Sequence, residues 1–324
     1  MKKLLALLVI IAIFATLLCG CGSKEEIIIY TSVEDYVVED LDAYLKERFP
    51  EYKITIEYMS TGNHAAKLLA EKTGTECDII YDLEYAYLAQ LEENGILADL
   101  SAYSTDIYCD DLIENKNYLP HLRSGGAIIL NTEVLSENNL AEPTSYEDLL
   151  KPEYKGLISM PNPKSSGTGY MFLKSLVNTW GEKEAFEYFD KLTENILTYT
   201  SSGSGPVNAL LQKEVAIGLG MTAQTVIKIN EGAPLKVVYF EEGSPFTIYG
   251  QAMIKGKDER DTVKEVFDVL VNEFGYRYNE KFGPEKLFKD KSYALENFPQ
   301  NIAYSDMKNN TIEEKERLLA LWKH

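Results

Sequence analysis

A repeated alternation of short apolar stretches with helically spaced segments constrains this chain more than anything else in it. Ile27-Ile28-Ile29-Tyr30 reads as a buried strand. Val37, Val38, Leu41, Tyr44, Leu45 and Phe49 then recur at helical intervals up to Pro50. Ser32 followed by Asp35 predicts a capping box at the start of that helix. Lys53 to Tyr58 alternates as a second strand, and Ser60-Thr61-Gly62-Asn63 opens a helix carrying Ala65, Leu68 and Leu69. Asp78-Ile79-Ile80-Tyr81 is a third strand, and a helix from about Glu84 to Glu93 closes at Asn94-Gly95. This order requires parallel strands joined by crossover helices, an α/β fold.

The second half has a different texture. Ala127 to Asn131 reads as a strand behind Gly125-Gly126, after which Pro143, Pro152, Pro161 and Pro163 cut the chain into short pieces. Helices are predicted at about Gly169–Thr179 and Glu182–Leu192, strands at Val215–Leu219, Lys236–Phe240 and Tyr249–Ile254, and helices again to the end. A chain of 324 residues is long enough for two lobes, each with its own core. No long linker separates them, so the chain crosses more than once, near Gly125–Asn131 and Phe246–Met253. The expected division is 27–124 plus 251–324 for the first lobe and 125–250 for the second.

The N-terminus reads as an address. Met1-Lys2-Lys3 is a basic start, and Leu4 to Leu18 is an apolar run too short for a bilayer span. Leu18-Cys19-Gly20-Cys21 then resembles a bacterial lipobox, with Cys21 as the lipidated residue. Residues 1–20 are the expected lipoprotein signal peptide and 21–26 a lipidated tether. Two acyl chains anchor stably, so the expected location is outside the cytoplasmic membrane and tethered to it. Cys77 and Cys109 remain in the mature chain as two thiols or one disulfide. With 32 Lys+Arg against 51 Asp+Glu the net charge is −19, which excludes nucleic acid as a partner.

Enzyme signatures are missing: the chain has no Gly-x-Ser-x-Gly, His-Glu-x-x-His or phosphate-loop motif, and its histidines are His64, His121 and His324. Gly218-Leu219-Gly220-Met221-Thr222-Ala223, with Glu241 about twenty residues on, outlines a dinucleotide fingerprint. It lies in the second half of an exported chain, and a strand-to-helix turn beside a cleft explains it as well. Two other loops carry more. Ser165-Ser166-Gly167-Thr168-Gly169 and Ser202-Gly203-Ser204-Gly205 each precede an apolar helix, the second with Pro206 in its first turn. Each brings hydroxyls and free N–H groups to a positive helix end, an anion cradle that needs no cation. Ordinary helix capping is the alternative use of such loops.

The matching pieces Ile28-Ile29-Tyr30-Thr31-Ser32, Ser60-Thr61-Gly62-Asn63, Asp78-Ile79-Ile80-Tyr81-Asp82, Ser165-Ser166-Gly167-Thr168-Gly169-Tyr170 and Lys213-Glu214-Val215-Ala216-Ile217-Gly218-Leu219 run through most of the mature chain. In this order they resemble the extracellular solute-binding proteins of ABC importers, type II class, ferric-binding branch. The resemblance implies two α/β lobes joined by two crossing strands, an interlobe cleft for the ligand, ABC permease subunits as partners, a monomer, no cofactor and no catalysis. Ferric-binding relatives carry a tyrosine pair after the strand that is Val215–Leu219 here, where this chain has Met221-Thr222-Ala223-Gln224. They also carry a histidine after the first strand, where this chain has Ser32-Val33-Glu34-Asp35. The resemblance without these residues implies a small organic anion, a phosphonate or phosphorylated solute.

The expected cleft residues are Thr31, Ser32, Ser60, Thr61, Gly62, Asp82 and Glu84 from the first lobe. Ser165, Ser166, Gly167, Thr168, Ser202, Gly203, Ser204, Thr222 and Tyr249 complete the set. Asp82 and Glu84 would pair with an amine, which 2-aminoethylphosphonate carries. The alternatives are ferric iron held by tyrosines from elsewhere, such as Tyr276 and Tyr278, and an exported phosphate-ester enzyme using the same cradle.

Overall fold

The computed structural model describes residues 24–109, 112, 116–291, 295–299 and 301–324. The expected signal peptide and Cys21 lie outside these residues. Among them the first lobe begins β1 (Glu26–Thr31), α1 (Asp35–Arg48), β2 (Lys53–Tyr58), α2 (Thr61–Glu71), β3 (Ile79–Glu84) and α3 (Tyr85–Glu93). Both neighbours of β1 are parallel to it, as the alternation of strands and helices requires.

The second lobe holds α4 (Thr132–Glu137), β5 (Ile158–Pro161), α5 (Gly167–Trp180), α6 (Glu182–Leu192), β6 (Ile196–Thr200), α7 (Gly205–Leu211), β7 (Ile217–Met221), α8 (Thr222–Asn230) and β8 (Leu235–Val238). Two strands connect the lobes, β4 (Leu119–Asn131) and β9 (Phe246–Met253). The strand order is β2-β1-β3-β9-β4-β7-β5-β6, with β8 also on β4. Residues 119–125 of β4 pair with β9, and residues 126–131 pair with β7 and β8. One strand thus serves two sheets. That is why it begins eight residues before the predicted Ala127, in a stretch whose buried positions do not alternate.

Two apolar cores flank this crossing. One packs β1, α1 and β3 against the C-terminal helices α9 (Asp261–Val269) and α10 (Gly275–Lys281), through Ile29, Leu41, Tyr81, Val266, Phe267 and Phe274. The other joins Leu130, Ile158, Phe172, Phe189 and Leu219 of the second lobe. The chain end departs from the expected division. In and just after α11 (Ile312–Leu321), Leu318 and Trp322 pack into the second core, not the first. The same helix also reaches the first lobe, where Lys315 pairs with Glu84 and Glu316 accepts from Gln90. The outward residues of α11 are charged, and Lys174–Glu314 and Arg317–Glu182 pair it to α5 and α6.

The predicted capping box is also corrected. Helix α1 begins at Asp35 with Glu34 in the N-cap position, and no side chain caps it. Ser32 is drawn instead to β3, where its hydroxyl and N–H both donate to the Asp82 carbonyl. Cys77 and Cys109 are free thiols.

Candidate functional site

Three segments of the first lobe end at the seam between the lobes: the turn after β1, the start of α2 and the end of β3. Facing them are the start of α5, the turn before α7 and the start of α8. They enclose a narrow cavity that is open in part to solvent. Ser32, Ser60, Thr61 and Asp82 line it from one side, and Ser165, Ser166, Thr168, Ser202 and Gly203 from the other, with Tyr249 on the crossing strand β9.

Two helix starts converge on this cavity from different lobes. Helix α2 has eleven residues and α5 fourteen, and the first N–H groups of each have no partner within the helix. Ser166 caps α5 by accepting from Gly169 N–H at 3.4 Å. Gly62 sits so close to the turn before α5 that a side chain there would lie 3.0 Å from the Lys164 carbonyl. Gly167 lies against the Tyr249 hydroxyl, which hydrogen-bonds Thr61. Glycine at 62 therefore lets the start of α2 approach the turn before α5, and glycine at 167 lets Tyr249 and Glu84 approach the start of α5.

The remaining expected residues have other roles. Thr31 accepts from Val33 N–H at 3.1 Å and is fully buried. Thr222 is also fully buried and shares a hydrogen bond with Tyr239 at 3.2 Å, so it does not line the cavity, whereas its neighbours Met221, Ala223 and Gln224 do. Glu84 is not available to a ligand amine. It forms a buried ion pair with Lys315 of α11, whose ammonium also lies over the rings of Tyr87 and Tyr170 at 4.4 and 4.3 Å. Lys315 is 230-odd residues away in sequence, and only the way α11 docks joins the two.

Ser204 is engaged from within the protein. Glu34 of the first lobe accepts from its hydroxyl and its N–H, and lies 3.0 Å from where a side chain on Gly203 would begin. Desolvation pushes the Glu34 carboxyl up to about 7 despite these bonds, with Asp35 adding repulsion. Helix α7 has only seven residues, so its dipole adds little here. The turn therefore already holds a carboxyl group.

Sequence reasoning missed Glu34, Tyr36, Tyr58, Arg123, Gln224 and Glu285, all on the cavity wall. Glu285 accepts from Gly125 N–H at 2.7 Å and from the Tyr304 hydroxyl at 2.5 Å, and burial still raises it to about 7. Arg123 lies beside it and over the rings of Phe246 and Tyr304. A separate signal existed for Gln224, beside the missing tyrosine pair, and for Glu34, in the stretch that lacks the histidine. Tyr278 lines the cavity, but Tyr276 packs on Phe288 at 4.4 Å in a different cluster. Among the described residues no group of three or more His, Cys, Asp or Glu side chains is placed to hold a metal ion.

Comparison with known proteins is consistent with this geometry. The model of the bacterial extracellular solute-binding proteins matches residues 77–312. An uncharacterized protein of Haemophilus influenzae is 27% identical over 316 residues, 94% of this chain and 91% of that one. The spermidine/putrescine-binding periplasmic protein of Salmonella typhimurium is 27% identical over 229 residues, 66% of this chain and 64% of its own. The structure of the periplasmic binding protein AfuA from Actinobacillus pleuropneumoniae, with exogenous fructose-6-phosphate bound, matches with a TM-score of 0.80 at 25% identity, over 93% of this chain and 98% of that one. The chain belongs to the bacterial extracellular solute-binding protein family, and it has the two-lobed type II fold of the periplasmic binding proteins of ABC importers.

Proposed function

We propose that this solute-binding protein captures a small organic anion, a phosphonate or a phosphate monoester, and hands it to the permease of an ABC importer. One observation carries the reading. Two helix starts, α2 and α5, meet from opposite lobes at one cavity, and Ser60, Thr61, Ser166 and Thr168 surround the meeting point. Unpaired N–H groups and hydroxyls on both sides favour a compact oxyanion, and an anion bridging both helix starts would hold the lobes closed. The likeness to a fructose-6-phosphate-bound protein supports the same class. The protein acts by binding, without chemistry of its own.

The test is calorimetry on the soluble mature chain with inorganic phosphate, propylphosphonate, 2-aminoethylphosphonate and fructose-6-phosphate. Binding of at least one organic phosphorus anion is expected, and silence from all four would defeat the reading. A polyamine is the second reading. It is favoured by three carboxylates on the cavity wall, Glu34, Asp82 and Glu285, against one cation there, Arg123, and by the likeness to the spermidine/putrescine-binding protein. Putrescine belongs in the same panel.

The reading assigns 27–124 and 251–311 to the first lobe and 125–250 to the second, with 312–324 bridging them, through Leu318 and Trp322 on the second and Lys315 and Glu316 on the first. It also keeps Cys21 as the lipid anchor of a monomer. Cys21→Ser should release the protein from the membrane fraction, and full processing and retention of the variant would refute the anchor.

A further inference from the structure

Asp82 combines burial, an unusual backbone and an unanswered acceptor. Its φ is 63°, in the left-handed region that residues with side chains rarely adopt. The register of β3 against β9 shifts between Tyr81 and Leu83, on either side of it. Ser32 holds the distortion in place by donating twice to the Asp82 carbonyl. The carboxylate is thereby turned out of the sheet towards the cavity. It is 3% exposed, and its Oδ2 has no hydrogen-bond partner among the described residues. His121 Nε2 is 3.5 Å away, but burial lowers that ring to about 3 and keeps it neutral.

A second observation comes from the other lobe. Gln224 lines the same cavity, is 2% exposed, and its Oε1 has no hydrogen-bond partner among the described residues. Tyr36, Tyr58, Tyr249 and Tyr278 supply aromatic walls. Burial, and then Glu34 beside the same space, raise the Asp82 carboxyl above its ordinary range. Arg123, the cation on the cavity wall, lies over Phe246 and Tyr304 and beside Glu285.

We infer that Asp82 and Gln224 form a subsite for a cationic hydrogen-bond donor, a primary ammonium, at the end of the solute away from its oxyanion. The inference rests on the oxyanion reading and narrows it to amino-phosphonates and amino-phosphates. A buried carboxylate without a partner is unfavourable, and an ammonium converts it into a charge-assisted pair. Aromatic walls suit the same group. Glu84, which sequence offered for this role, is already neutralised by Lys315.

The test is a matched pair of probes, 2-aminoethylphosphonate and propylphosphonate, which differ by an ammonium in place of a methyl. Wild-type protein should bind the amine-bearing probe about 10- to 100-fold more tightly. Asp82→Asn should erase most of that preference, with 2-aminoethylphosphonate binding weakened. Gln224→Met should reduce the preference less, and it carries the test if thermal unfolding shows Asp82→Asn misfolded. Equal binding of both probes, or an undiminished preference in both variants, overturns the subsite and leaves the oxyanion reading standing. Binding of putrescine alone, lost in Asp82→Asn, keeps the subsite and overturns the oxyanion reading. Failure of both phosphonates and of putrescine overturns both.

Discussion

The turn Ser165-Ser166-Gly167-Thr168 heads a helix of fourteen residues, and the turn Ser202-Gly203-Ser204 heads one of seven. Each meets a carboxylate from the first lobe. At the first turn it is Glu84, whose Oε2 lies 3.2 Å from where a side chain on Gly167 would begin, and whose charge is answered by Lys315. At the second it is Glu34, which takes the hydroxyl and N–H of Ser204 and has no such cation against it. The first turn is left with donors for an incoming anion, while the second has already spent its own. A Ser/Gly turn before a helix thus defines a possible anion site. Which turn serves depends on charges brought in from the other lobe.

The comparison breaks most severely at Lys315. Lys315→Met would leave Glu84 buried, charged and unpaired beside the start of α5. Losing one partner of a buried pair costs about 3–5 kcal/mol, and chemical denaturation should read that loss. Oxyanion affinity should fall as well, because an unanswered negative charge then adjoins the cradle. Wild-type stability in this variant would mean that the pair does not shape the first turn.

Next in size is Ser166→Asp, which puts a negative charge where the ligand's belongs. Affinity for the phosphorus anion should drop by about 100-fold or more in calorimetry. Ser204→Asp should instead repel Glu34 and disturb stability before affinity. If the two variants behave in the reverse order, the roles assigned to the turns are exchanged.

Glu34 gives a pH-resolved test of the second turn. Its carboxyl is raised in the fold from an ordinary 4.5 to about 7. Ionising it therefore costs stability. The cost is absent below about pH 4.5, grows as pH rises, and is complete above about 7. Glu34→Gln keeps an acceptor for Ser204 and removes the charge. The variant should be more stable than wild type by about 1–2 kcal/mol at pH 8, with the gap closing by pH 5. A gap independent of pH would show that Glu34 is not held as described. Buried His64 and His121, both lowered to about 3, change stability in the opposite sense below pH 6.5, so the difference between the two proteins is the quantity to follow.

The smallest effects separate the hydroxyls. Ser166→Ala should weaken anion binding by about 1 kcal/mol, one neutral hydrogen bond, while Ser202→Ala should change it far less. Ser202 shares its hydroxyl with Ser204 at 3.1 Å, within the turn. Equal losses would return both turns to the ligand.

Much of the fold was legible because its signals are local. The apolar runs at Ile27–Tyr30 and Asp78–Tyr81, the alternation of Lys53–Tyr58 and the helical spacing of Val37 to Phe49 place three parallel strands without any distant contact. The helix start at Ser166 was legible for the same reason, since capping acts within one turn. What stayed hidden depends on partners far apart in sequence. Glu84 looked free until Lys315 was brought to it, and Ser32 looked like a cap until Asp82 drew it away. Thr222 looked exposed to a ligand because strand-to-helix turns often are, yet it faces Tyr239. The docking of α11 on the second core left no local signal, because Leu318 and Trp322 suit any core.

The most direct measurement is identification of the small molecule that the purified protein releases on denaturation, by mass spectrometry together with phosphorus NMR. The account predicts one phosphorus-bearing organic anion in near-stoichiometric amount, lost from Ser166→Asp and retained by Ser202→Ala. A released polyamine or metal ion with no phosphorus would contradict it.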